Sequence, residues 1–302
     1  ARPGSSLEAV ELGGGVSNVV VAAGPYVVKQ ALPRLRVADE WLAKRERAVT
    51  EGEALRLAAR LTPGRVPDVL DVDEEACALT IARAPDPWRS WKEALLAGEV
   101  DPGVAEELGR ILATWHARTL GDAAVASRFD DWQAFDQLRV DPYHRTVGRR
   151  HPDLAGAVSR VVEEMAARRI ALVHGDYSPK NVLVGEGALW VLDFEVAHFG
   201  DPDFDLAFML NHLVLKAIHR PQDAAAYRRC AEAFLGAYRA GVPARLDPVP
   251  ERLSRHLGCL MLARVDGKSP AEYLTEPERE RARRRARELL LDPPRLLEGL
   301  LP

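Results

Sequence analysis

The chain has 302 residues, 47% hydrophobic and 28% charged, with a formal net charge of −4. That length suits two lobes with a sizeable core, and the small negative charge excludes the basic surface that nucleic acid or an anionic membrane would need. No apolar run approaches the roughly 18 residues of a bilayer-crossing helix, and ARPGSSLEAVELGGG at the start holds no hydrophobic signal segment, so the expectation is a cytoplasmic protein. Cys77, Cys230 and Cys259 lie scattered among apolar neighbours and read as reduced core residues, not as a disulfide frame or zinc site.

Leu12-Gly13-Gly14-Gly15-Val16-Ser17-Asn18 leads into an apolar strand, Val19 to Ala22. Glycines let backbone N–H groups approach phosphates closely, and Ser17 and Asn18 can add donors; on the glycines alone, a flexible hairpin turn reads equally well. Ala23-Gly24-Pro25 turns the chain, and Tyr26 to Lys29 runs back as a second strand ending on a lysine. Ala38 to Leu61 reads as a helix with Ala48, Leu55, Ala58 and Ala59 on one face and Pro63-Gly64 as its stop; Glu46, Glu51 and Glu53 are candidate functional acids on it. Val66 to Val72 and Ala76 to Ala82 are further strands. Arg83-Ala84-Pro85-Asp86-Pro87 is a natural linker, which divides the chain into lobes at 1–83 and 84–302.

In the second lobe Trp88 and Trp91 read as core or lobe packing, with stacking against a substrate as the alternative. Val104, Leu108, Ile111, Leu112 and Trp115 mark an amphipathic helix, with His116 beside it as a satisfied structural histidine. Phe129 to Arg150 is less regular, and Asp141-Pro142-Tyr143-His144-Arg145 makes a turn; Pro152 to Arg168 is helical again. Three short apolar runs follow, Ala171 to Val173, Val182 to Val184 and Leu189 to Leu192, each too short for a helix. A hairpin of such strands gathers Asp176, Asn181, Asp193 and Glu195 at one end of a small sheet. Carboxylates so placed repel unless a hard cation such as Mg²⁺ joins them. Helices are then expected from Phe204 to Ala217, capped by Asp201 or Asp203, and over 223–240, 250–265 and 276–290, with a polar loop at 263–270.

The spacing is specific. Asp176 is followed by four residues and then Asn181, and Asp193 comes twelve residues after Asn181. That is the layout of a kinase catalytic loop followed by a metal loop. The loop reads His174-Gly175-Asp176 and the metal segment Asp193-Phe194-Glu195; these forms resemble the aminoglycoside phosphotransferase and choline kinase superfamily, which shares the protein-kinase fold. The D-x-E form, the GDPDFDLA that follows and the KQALP after the first lysine are most similar to the methylthioribose kinases.

The resemblance implies an α+β, bilobal protein-kinase-like fold with a small β-rich N-lobe and a larger, mainly helical C-lobe. It implies Asp176 as the base, and Lys29 on the ATP phosphates, held by Glu51 and covered by Gly14, Gly15, Ser17 and Asn18. Asn181, Asp193 and Glu195 would hold Mg²⁺, and Asp205 would bind the catalytic-loop backbone. Lys180 either stabilises the transferring group or is simply solvated. Asp141, Tyr143 and Arg145 are assigned to the acceptor, as are Arg264, Asp266 and Lys268 from the polar loop, with a plain surface loop as the alternative. The expected activity is ATP-dependent phosphorylation of a hydroxyl on a small polar metabolite, a methylthioribose-like sugar first. An aminoglycoside, choline or homoserine type of acceptor is the alternative, and a nucleotide-binding pseudokinase the reading from another class. The expected partner is a small-molecule acceptor, with no nucleic acid and no membrane, in a monomer or homodimer.

Overall fold

The computed structural model describes residues 8–13, 15–36, 41–185 and 187–301. The N-terminal region is built on one antiparallel sheet of order β1-β2-β3-β5-β4, comprising β1 (Ala9–Glu11), β2 (Asn18–Ala23), β3 (Tyr26–Ala31), β4 (Val69–Asp73) and β5 (Ala78–Ala82). Helix α1 (Arg47–Leu61) crosses from β3 to β4 and packs its buried Ala54, Leu55 and Ala58 on that sheet. Of the segment expected to be helical from Ala38, Trp41 to Glu46 lies outside the helix.

The larger C-terminal region is mainly helical. After β6 (Arg89–Ser90) come α2 (Trp91–Ala97), α3 (Pro102–Thr119), α4 (Ala123–Arg128) and α5 (Gln133–Phe135), then a π-helix, Asp136–Arg145, that runs into α6 (Thr146–Arg150) and α7 (Ala155–Ala167). The remaining helices are α8 (Asp203–His219), α9 (Ala224–Gly241), α10 (Pro250–Asp266) and α11 (Glu276–Leu291), close to the bounds expected from periodicity. Helices α3 and α9 approach so closely at Gly109 that a Cβ there would sit 2.3 Å from the Phe234 carbonyl oxygen. Helix α8 is buried on all sides over most of its length. Among the described residues no helix is long and apolar enough to cross a membrane.

The three short apolar runs are strands but do not form one sheet. β7 (Ala171–Val173) pairs antiparallel with β10 (His198–Gly200), whereas β8 (Val182–Gly185) and β9 (Ala188–Val191) form a hairpin that β6 extends. The expected single hairpin is therefore two small sheets. The loop after β7 and the loop after β9 still meet, because Asn181 accepts the Leu192 N–H on its backbone carbonyl and the His174 ring bonds the Leu192 carbonyl. Trp88 packs edge-on against Trp190 and Trp91 is buried, as lobe packing requires.

Candidate active site

Strand β3 delivers Lys29 into the gap between the two regions. Its Nζ donates to Glu51 Oε1 of α1 at 2.6 Å and to Asp193 Oδ1, from the loop after β9, at 2.7 Å. Burial would lower the Lys29 pKa, but the charges of Asp193 and Glu51 overcome it and raise it well above the ordinary lysine value, so the ammonium persists. Burial pushes the Glu51 carboxyl up, and the Lys29 charge opposes it. Glu46 and Glu53, the other two candidate acids, do not reach the lysine: Glu46 stands at the helix N-cap and Glu53 faces Arg128 at 3.4 Å. Asp193 has φ of +72°, a left-handed conformation rare for a residue with a Cβ. The bond to Lys29 is one contact that holds it there.

The loop after β7 presents Asp176, buried to 1% exposure. Its backbone is set by Asp205 at the start of α8, whose Oδ2 accepts the His174 N–H at 2.7 Å and whose Oδ1 accepts the Gly175 N–H at 2.8 Å. Asp205 also meets His116, which bonds Tyr238 through its other ring nitrogen, so His116 is structurally satisfied. Gly175 is required: its φ is +78° and a Cβ would lie 2.8 Å from the Val196 carbonyl oxygen.

The Asp176 carboxylate is asymmetric. Oδ2 accepts from Arg139 Nη2 at 2.7 Å, Lys180 Nζ at 2.8 Å and Asn181 Nδ2 at 2.8 Å. Oδ1, equally buried, has no hydrogen-bond partner among the described residues. Burial would raise the Asp176 pKa, yet the Arg139 and Lys180 charges hold it below the ordinary carboxylate value. The group is an ionised carboxylate with one oxygen saturated and one free, which suits it to accept a hydroxyl proton.

Glu195 is committed differently. Its Oε1 accepts from Ser17 Oγ at 2.8 Å, and its Oε2 from Asn18 Nδ2 at 2.9 Å and Arg47 Nε at 3.1 Å. Arg47 is fully buried and also donates to the Ser17 and Leu32 carbonyls. The side chains of Ser17 and Asn18, expected on phosphates, therefore tie the N-terminal sheet to the loop after β9, because a buried carboxylate requires donors. Gly13 and Gly15 stand clear of other atoms, and Gly14 lies outside the described residues. Among the described residues no three or more His, Cys, Asp or Glu groups converge as a metal cage. The donors fit Mg²⁺ nevertheless, since that ion is usually held by one or two protein carboxylates together with nucleotide phosphates. Asn181 spends its Nδ2 on Asp176, which leaves its side-chain oxygen, the atom that could ligate a cation, without a bond to that carboxylate.

The expected acceptor residues scatter. Tyr143 is buried with its ring 5.9 Å from the Arg139 guanidinium, next to Asp176. Asp141 pairs with Arg149 and Lys268, and Arg145 with Asp136. Asp266 is held by His151 and Arg283, and Arg264 bonds Ser269. Arg264 and Asp266 belong to α10, not to a loop. Arg139 and Arg47 were not singled out from the sequence. Arg139 belongs to the π-helix, a form that is rare and concentrated at functional sites, and the irregular pattern of 129–150 was its one visible signal.

A β-sheet region whose ion-paired lysine faces a helical region carrying a catalytic-type aspartate and a metal-type loop is the architecture of a protein-kinase-like phosphotransferase. The chain belongs to the phosphotransferase enzyme family, whose profile matches residues 8–249. Methylthioribose kinase 2 of Oryza sativa subsp. japonica is 28% identical over 250 residues, covering 71% of this chain and 58% of that protein. The methylthioribose kinase of Pectobacterium carotovorum subsp. carotovorum is 28% identical over 265 residues, covering 76% of this chain, which spans 66% of that relative's length. Among solved structures, a choline/ethanolamine kinase family protein from Mesorhizobium loti shares the fold with TM-score 0.55 and 19% identity, covering 99% of this chain and 92% of that one. ADP-bound aminoglycoside phosphotransferase APH(2'')-Ib does so with TM-score 0.53 and 15% identity, covering 99% and 96%.

Proposed function

We propose that the protein transfers the γ-phosphoryl group of ATP to a hydroxyl of a small polar metabolite, with a methylthioribose-like sugar as the acceptor. The nucleotide would lie against the 1–83 lobe and the acceptor in the 84–302 lobe. The observation that carries this reading is the Asp176 carboxylate, pinned through Oδ2 by three donors and free at Oδ1, within one network that also holds Lys29 and Asp193.

Asp176 orients the acceptor hydroxyl through Oδ1 and takes its proton as the oxygen attacks phosphorus. Lys29, placed by Glu51, binds the α- and β-phosphate oxygens, beneath the segment before β2 that includes Gly15. Ser17 and Asn18 hold that segment to Glu195. Lys180 bridges Asp176 and the site of transfer with a half-exposed ammonium. Asn181 and Asp193 would hold Mg²⁺, which when bound neutralises charge on the phosphates; direct ligation by Glu195 would require it to release one of its three donors. The sugar-like acceptor is supported by the two methylthioribose kinases at 28% identity. The test is Mg-ATP consumption with and without methylthioribose, ribose, choline, homoserine and aminoglycosides, for the wild type and Asp176→Asn. Nucleotide binding with no transfer to any member would favour the pseudokinase reading.

A further inference from the structure

A polar seam leaves the catalytic-type loop along one face of α8. Phe208, His212 and Lys216 recur at four-residue spacing and so stack over about 12 Å of helix. At the near end, Arg139, which binds Asp176, lies 5.8 Å from the Phe208 ring centroid. The His212 ring meets Phe208 at 5.5 Å. At the far end Lys216 is fully buried, its Nζ without a hydrogen-bond partner among the described residues and 5.4 Å from the Tyr273 ring. The Tyr273 hydroxyl and Arg264 Nε are buried and unpartnered as well. Native structures leave few buried polar groups unpaired, so three unpartnered donors in one region call for an occupant.

The charge balance there is positive. Burial, then the charges of Arg264 and Lys92, push the Lys216 ammonium down to about 7, with Glu272 opposing. Glu272 itself is already paired with Lys92 at 2.6 Å. His212 is held well below the ordinary histidine value by burial and by Lys216, Arg264, Lys180 and Lys92.

We propose that the far end of this seam is an anion subsite of the acceptor pocket, in which Lys216, Arg264 and Tyr273 donate to a carboxylate or phosphate on the arm of a sugar-like acceptor whose reacting hydroxyl lies at Asp176 Oδ1. The proposal rests on the kinase reading and refines it: where methylthioribose carries a neutral methylthio arm, this acceptor carries a charged one. An anion there would give each unpartnered donor an acceptor and offset the cation excess in a place screened from bulk water, where a charge pair is worth more than at the surface. Tyr273 sits on the segment joining α10 to α11, which Arg264 tethers through Ser269. A purely structural role for Lys216 forecasts the same ligand preference before and after Lys216→Met, since the substitution would then touch packing and not an anion.

The test is calorimetric binding of ribose, 5-methylthioribose, ribose 5-phosphate and the C5 carboxylate of ribose in the presence of Mg-ADP. It is run on the full chain as wild type, Lys216→Met and Tyr273→Phe, with Mg-ADP affinity as the control. The expected result is at least tenfold tighter binding of a charged-arm pentose than of ribose, the favoured member telling carboxylate from phosphate. Lys216→Met should erase that preference and Tyr273→Phe should reduce it several-fold, both with nucleotide affinity intact. Should Lys216→Met not fold, Tyr273→Phe decides alone. Equal or tighter binding of the neutral pentoses, a preference that survives the substitutions, or no binding by any member overturns the subsite. Phosphoryl transfer from ATP in the same samples separates the two readings. Transfer without a charged-arm preference removes the subsite alone, and the preference without transfer removes the kinase assignment.

Discussion

The two sides of this site, the proposed nucleotide side around Lys29 and the proposed acceptor side around Asp176, treat buried charge in opposite ways. On the first, Lys29 has two carboxylate partners and Glu195 accepts from three side chains, so each charge is compensated inside the protein. On the second, Asp176 Oδ1 and Lys216 Nζ are buried and unpartnered. A saturated network fixes one geometry, here the placement of the N-terminal sheet against the loop after β9. An unsaturated one is at a disadvantage until something else supplies the missing partner.

The largest expected effect breaks the acceptor side chemically. Asp176→Asn keeps the shape of the side chain but loses the base, and should lower kcat by about 10²–10⁴-fold while ATP binding persists; single-turnover kinetics and nucleotide titration read the two separately. The next effect breaks the saturated side. Arg47→Met strands the buried Glu195 carboxylate and should cost about 3–5 kcal/mol in urea unfolding, with part of that recovered in the Arg47→Met/Glu195→Gln double variant.

A third prediction concerns acid. Burial pushes His144 down to about 3 and His198 to about 4, from an unfolded value of 6.5. Between those values the unfolded chain binds protons that the folded chain does not. Their contribution is therefore complete above pH 6.5 and lost progressively as pH falls toward 4 and then 3, at up to about 1.4 kcal/mol per pH unit for each group. His144→Leu should flatten the acid limb of stability against pH; an unchanged slope would mean that the ring is not held neutral. The smallest effect sharpens the contrast. Lys216→Met should leave unfolding stability unchanged or raise it by about 1 kcal/mol, the opposite sign from Arg47→Met although both remove a buried cation.

Part of the constellation was legible in the sequence because it is written locally. The Asp176, Asn181 and Asp193 spacing lies within eighteen residues, and Lys29 lies on the strand that precedes the helix bearing Glu51. Helices α8 to α11 were legible for the same reason, through periodicity and turn residues. Long-range partners were not. Arg47 meets Glu195 across 148 positions, and Arg139 meets the Gly175 carbonyl across 36, from a π-helix whose pattern matches no regular period. The pairing of β7 with β10, in place of a common hairpin, is likewise a tertiary choice that three-residue runs cannot specify. Lys216 left one trace, the only lysine of a helix that is buried over most of its length, and only the surroundings of that lysine show that it lacks a partner.

The most direct test of the account is the rate of Mg-ATP consumption by the purified chain against the pentose panel, for wild type and Asp176→Asn side by side. The account predicts turnover with at least one pentose at a kcat/KM of about 10⁴ M⁻¹s⁻¹ or more, reduced by two to four orders of magnitude (about 10²–10⁴-fold) in the variant. Comparable turnover in both proteins, or nucleotide binding with no phosphoryl transfer to any acceptor, would contradict it.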